Sequence, residues 1–142
     1  MVRPCPGSHT ASMQNGHDSR THVFIVEDSP IVRKRLVAMM DETEGVAVVG
    51  EADTEKGAVE GILRTRPDWV LLDVQLTDGN GIGVLRQVRK QVPDTGFIVL
   101  TNFNTPQCRR ICFLEGASHF VDKMQATAIR EILAGPKYSL KH

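Results

Sequence analysis

Hydrophobic positions along this chain alternate between two patterns: short continuous apolar runs, and longer stretches where apolar residues return every three or four positions. The first pattern suits a strand covered on both faces, the second an amphipathic helix. The runs lie at 23–26, 46–49, 69–72, 97–100 and 119–121. Between them, Val32, Leu36, Met39 and Met40 mark one helical face, and Ala58, Val59, Ile62 and Leu63 a second. Ile82, Leu85, Val88 and Val92 mark a third, Cys108, Ile111 and Cys112 a fourth, and residues 126–133 a last helix. Local signals agree with this alternation. Ser29-Pro30 and Thr105-Pro106 each offer an N-cap followed by proline at the first helical position, and Asp53 or Thr54 can cap the second helix before Pro67 stops it. Asp78-Gly79-Asn80-Gly81 is turn chemistry, Pro93 to Gly96 is a loop, and Gly116 ends the fourth helix.

Strands alternating with helices predict a parallel sheet, and right-handed crossovers place helices on both its faces. The expected fold is α/β: a doubly wound five-stranded parallel sheet of flavodoxin-like order 2-1-3-4-5, spanning residues 21–135. Residues 1–20 are rich in Pro, Gly, Ser, His and Asn without apolar periodicity, which predicts a disordered tail. Within it, Gly7-Ser8-His9 and Ala11-Ser12-Met13 look like expression-vector remnant, placing the expected native start near Met13. Residues 136–142 form a closing tail.

Composition narrows the function classes. Hydrophobic residues at 41% and charged residues at 24% are ordinary for a globular domain. Basic and acidic residues both number 17, so no net field draws the chain to nucleic acid. No apolar run approaches the roughly 20 residues of a membrane helix, and no secretory signal opens the chain, so a cytoplasmic location away from membranes is expected. Cys5, Cys108 and Cys112 make an odd number without a CxxC pair, which favours reduced, packed thiols over a disulfide or a metal knuckle.

In a doubly wound sheet, ligands bind beyond the carboxyl ends of the strands where the order reverses, here between the first and third strands. Glu27-Asp28 follow the first strand, Asp73 ends the third, Thr101 ends the fourth, and Lys123 follows the fifth. Three crowded carboxylates repel one another unless a cation sits among them, and a hard oxygen cage suits Mg²⁺. A hydroxyl and a mobile ammonium beside that cation are what the oxygens of a phosphoryl group need. Singly, each residue has a plainer reading: Asp73 as a turn residue, Glu27 and Asp28 as charges favoured at a helix start, Lys123 as a solvated loop lysine. The ordered set carries the chemistry.

That set resembles the response-regulator receiver family over residues 22 to about 134. Further matches are Pro67-Asp68-Trp69-Val70-Leu71-Leu72-Asp73, Gly81, and Gly116-Ala117 ahead of the aromatic Phe120. The resemblance implies that Asp73 accepts a phosphoryl group from a histidine kinase or phosphotransfer protein. Asp28, Asp73 and the carbonyl of Gln75 would bind Mg²⁺, with Glu27 acting through a water. Thr101 would close on the phosphoryl oxygens, Lys123 would pair with Asp73 and the phosphoryl group, and Phe120 would fill the space Thr101 leaves. A downstream protein target, and pairing of two copies through the fourth and fifth helices on activation, are implied as well. Gln75 and Phe103 would line the path of the hydrolytic water, with Phe103 excluding it. Three positions depart from the family's habit: Met124 stands where proline usually follows the lysine, predicting a trans bond, Thr77 replaces a proline after the phosphoacceptor, and Asn102 replaces a small residue.

Two other classes compete. Haloacid-dehalogenase-like phosphatases also use an aspartyl phosphate, Mg²⁺, Thr and Lys, but place the nucleophile after the first strand with a second Asp two residues on, where this chain has Pro30 after Asp28-Ser29. A receiver-like module that binds partners without being phosphorylated is the remaining alternative. Gly79-Asn80-Gly81-Ile82-Gly83 fails as a dinucleotide fingerprint, because Val84 stands where the last glycine belongs and the motif does not follow the first strand.

Overall fold

The computed structural model describes residues 19–102 and 104–135. Expectations placed on residues 1–18, on Phe103 and on residues 136–142 lie outside the described residues. The chain alternates β1 (Thr21–Val26), α1 (Pro30–Asp41), β2 (Val46–Ala52), α2 (Glu55–Thr65), β3 (Trp69–Asp73), α3 (Gly81–Val88), β4 (Gly96–Thr101), α4 (Pro106–Leu114), β5 (His119–Asp122) and α5 (Ala128–Ala134), with a 3₁₀ turn at Lys123–Gln125. The strands form one parallel sheet in the order β2-β1-β3-β4-β5, the expected doubly wound fold.

Alternate side chains of each central strand enter opposite cores. Phe24, Val26, Val70, Leu72, Phe97 and Val99 meet α2, α3 and α4 on one face. Val23, Ile25, Trp69, Leu71, Ile98 and Leu100 meet α1 and α5 on the other. Each fully buried side chain of this size stabilises the fold by roughly 1.5–3 kcal/mol. On the first face the Phe24 ring fills space left by two glycines: a Cβ on Gly50 or Gly61 would lie 2.5 or 2.4 Å from ring atoms.

Three caps act where the sequence placed them, and Asn80, expected only as part of a turn, adds a fourth. Ser29, Thr54, Asn80 and Thr105 each accept a backbone N–H from the first turn of α1, α2, α3 and α4. One helix boundary and one packing expectation need correction. Helix α3 ends at Val88, short of Val92, yet Val92 N–H still donates to Val88 O at 3.0 Å, so one further turn carries its side chain inward before Pro93 stops the chain. On α4 only Cys112 is buried, Cys108 is half-buried, and Ile111 stands 43% exposed. Cys108 and Cys112 lie one turn apart on the inward face, and Ile111 is rotated off it by about 100°.

Candidate functional site

Strands β1 and β3 are neighbours, so the residues leaving their carboxyl ends are delivered to one place. Glu27 and Asp28 leave β1 and Asp73 closes β3, and these three each offer a carboxylate oxygen within 4.8 Å of the others. Lys123, leaving β5, brings its Nζ to 3.0 Å from Glu27 Oε1 and 3.2 Å from Asp73 Oδ2. Glu27 is fully buried and Asp73 only 3% exposed, which makes this a charged site cut out of the end of the core. The Lys123–Met124 bond is trans, as expected, and Lys123 reaches the carboxylates regardless.

Burial pushes the Asp73 carboxyl up to about 6, with repulsion from Glu27 adding to it and Lys123 opposing. Burial alone would pull Lys123 down, but contact with Glu27 and Asp73 outweighs it and holds the ammonium above its ordinary value. Glu27 Oε1 receives no well-directed hydrogen bond, so its pairing with Lys123 is electrostatic. Its other oxygen, Oε2, accepts the Ser29 N–H at 3.1 Å. Glu27, Asp28, Asp73 and Lys123 together carry a formal excess of negative charge, and a buried acceptor stays under-satisfied. This donor set fits a hard divalent cation such as Mg²⁺.

Around these groups opens a cleft of ≈ 680 Å³ that runs from Asp28, Asp73, Gln75 and Thr77 past Asn102 to Arg35, Met39 and Met124. Gln75 sits on its wall, and its N–H donates to Asp73 Oδ1 at 3.1 Å, which fixes the carboxylate rotamer. Thr101 ends β4 opposite Asp122 in register and is 1% exposed. Phe120 is half-buried against the α2–α4 core, 6.4 Å from the Phe113 ring, with the Arg109 guanidinium 5.6 Å above it. The Arg109 and Arg110 side chains on α4 are exposed. Ser29 and Pro30, at which the dehalogenase pattern breaks, start and cap α1.

The structure adds contacts that sequence reasoning left out. Thr77, noted only as a replaced proline, donates its hydroxyl to Asp28 Oδ2, and its N–H donates to the same oxygen at 2.7 Å. The Thr77 hydroxyl is the leading reason that Asp28 lies below the usual carboxylate range, against the opposing effect of burial. Arg33 Nη1 donates to the Glu27 carbonyl at 2.7 Å while its Nε pairs with Glu51 at 3.4 Å. Glu55, at the start of α2, accepts the Asn80 N–H at 2.9 Å through Oε1 and the Gln87 amide at 2.7 Å through Oε2.

A five-stranded doubly wound sheet of this order sets the buried acidic cluster and Lys123 at its switch point, where α/β domains of this class bind their ligands. The model of the response regulator receiver domain matches residues 23–134, and the chain belongs to that family, the receiver domains of two-component signal transduction. It is 36% identical over 118 residues to the DNA-binding transcriptional activator DevR/DosR of Mycobacterium tuberculosis, a match that covers 80% of this chain and 54% of that protein. The chain therefore spans about half the length of that curated relative. A LuxR-family two-component response regulator from Aurantimonas superposes with a TM-score of 0.73 at 30% identity, covering 82% of this chain and 87% of that one. The receiver domain of the response regulator NarL from Mycobacterium tuberculosis gives 0.75 at 26% identity, covering 83% and 99%. The cluster of Glu27, Asp28 and Asp73 suits the metal site of a receiver, and among the described residues no helix is long and apolar enough to cross a membrane.

Proposed function

We propose that this chain is a phosphorylatable receiver in which Asp73 accepts a phosphoryl group from the phosphohistidine of a kinase or phosphotransfer protein. The observation that carries the reading is Lys123 Nζ 3.2 Å from a buried Asp73 carboxylate that shares its site with two further acids. An Asp73 oxygen forms the new P–O bond as the P–N bond of the donor breaks, and the histidine imidazole leaves with that electron pair. Little covalent work falls to the protein, so positioning and charge dominate. The Gln75 N–H holds one Asp73 oxygen, which leaves the carboxylate oriented before a donor arrives.

Asp28, Asp73 and the Gln75 carbonyl are the groups to hold Mg²⁺, with Glu27 engaged through a water. When bound, the cation neutralises charge on the transferring phosphoryl oxygens. Lys123 adds a point charge to the same oxygens, and Thr101 supplies a hydroxyl from the end of β4. Closure of Thr101 on the phosphoryl group and inward movement of Phe120 would then bias the face of α4, β5 and α5 that a downstream protein reads. Phe120 starts half-buried against Phe113 and Arg109 rather than fully in the core, which supports such a movement. The domain works as a signalling switch and not as a turnover enzyme, within the cytoplasm, and copies pair on activation. The DevR/DosR activator is named as DNA-binding, but the balanced charge of this chain supports assigning nucleic acid to no part of the receiver itself.

The test is intact mass after incubation with acetyl phosphate, with and without Mg²⁺, for the wild type and Asp73→Asn. A Mg²⁺-dependent phosphoryl adduct on the wild type alone is expected. No adduct, or one that persists in Asp73→Asn, would move the reading to a module that signals by binding only.

A further inference from the structure

The loop between β3 and α3 is tied down at both ends. At its start Asp73 lies in the sheet beside Leu100, and at its close Gly81 N–H donates to Val74 O at 2.9 Å. Its middle is fastened to α2, where Glu55 N–H donates to Asp78 O at 3.1 Å and the Glu55 carboxylate accepts the Asn80 N–H at 2.9 Å. Bridges pair Thr54 with Asp78 and Gln75 with Asn80. Gly79 is drawn so close to this anchor, at φ +106°, that a Cβ there would lie 2.3 Å from the Glu55 Cβ. A residue in such a loop holds its place, and Thr77 sits between the anchors with both its N–H and its hydroxyl on Asp28 Oδ2.

We propose that Thr77 is a positioning residue for the divalent cation: by fixing Asp28 Oδ2 from two donors it holds the carboxylate in place beside Asp73 and Glu27. The inference rests on the reading of the acidic cluster as a Mg²⁺ site. Carboxylates that bind metals are ordinarily oriented by hydrogen bonds from a surrounding layer of donors, and loss of such a donor weakens binding about 10- to 100-fold. Thr77 ties that layer to the phosphoacceptor strand, because only the residues between Asp73 and Thr77 separate the acid at the end of β3 from the donor that orients the acid of β1. The proline usual at this position in the resembling family could make neither bond, having no N–H and no hydroxyl.

The probe is Mg²⁺ itself, titrated calorimetrically into the full chain as wild type, Thr77→Val and Thr77→Ser. Valine keeps the branched shape and the N–H but removes the hydroxyl, while serine restores it. Binding weakened about tenfold in Thr77→Val and returned to within about twofold by Thr77→Ser is expected. Unchanged or tighter binding by Thr77→Val, or serine as weak as valine, would overturn the role of Thr77 while leaving the metal site in place. Wild type that takes up no Mg²⁺ would overturn both the role and the site reading beneath it.

Discussion

Asp73 holds its proton more tightly folded than unfolded, because burial and Glu27 raise its carboxyl from 3.8 to about 6. Above pH 6 the folded chain carries an ionised, poorly solvated carboxylate, so the group destabilises the fold there; the penalty fades as pH falls through 6 toward the unfolded value. Asp73→Asn is therefore expected to stabilise the metal-free protein at pH 7.5 by about 1–3 kcal/mol, with the gain shrinking by pH 5, as measured by urea unfolding at both values. Lys123→Ala has the opposite sign. It strips the ammonium from two buried acids, and a loss of about 2–4 kcal/mol at neutral pH, partly recovered by Mg²⁺, is expected in the same assay. At this scale the sequence announced which charged groups meet, since Glu27, Asp28, Asp73 and Lys123 each follow an apolar run whose end the pattern locates, and the structure brings the four together. It could not announce Thr77 or Glu55. Their roles come from where a loop folds back over neighbouring elements, and no spacing along the chain encodes that distance.

Elements are held at their working separations by glycines that admit no side chain. A Cβ on Gly81 would lie 2.2 Å from the carbonyl oxygen of Asp73, so Gly81→Ala forces α3 away from the end of β3. A loss of about 2–3 kcal/mol together with weakened Mg²⁺ binding is expected, read by thermal unfolding with and without the ion. Gly61→Ala would press α2 against the Phe24 ring and is expected to cost about 1–3 kcal/mol without touching Mg²⁺ affinity. The elements themselves were legible: continuous apolar runs marked β1, β3 and β4, cap residues marked the starts of α1, α2 and α4, and turn chemistry marked that of α3. The extent of β2 was less so, because it runs through Gly50 and Glu51 to Ala52 and its register with β1 slips between Val23 and Phe24. Irregularity of that kind arises from strand pairing, and Gly50 is the one residue in the strand that hints at it. Helix α4 misled for another reason. It buries one residue, so its apolar side chains answer weakly to the core and Ile111 is free to face outward.

Across the whole molecule the sheet divides the interior into two cores that share its three central strands. Every residue of β3 and β4 is buried, whereas β2 at one edge is half-buried except at Glu51, which is exposed, and β5 at the other is short. Amide exchange is expected to be slowest in β1, β3 and β4 and faster in β2 and β5, and hydrogen-exchange mass spectrometry would show it. Trp69, the single tryptophan of the chain, lies at the opposite end of β3 from Asp73, packed 5.9 Å from the His119 ring. Four strand steps of roughly 3.3 Å put it about 13 Å from Asp73, beyond direct quenching by anything bound there. Indole emission in this protein is thus a remote reporter. Any change on loading the site would measure a disturbance carried the length of a buried strand, and a flat trace would mean that the sheet had behaved as a rigid plank.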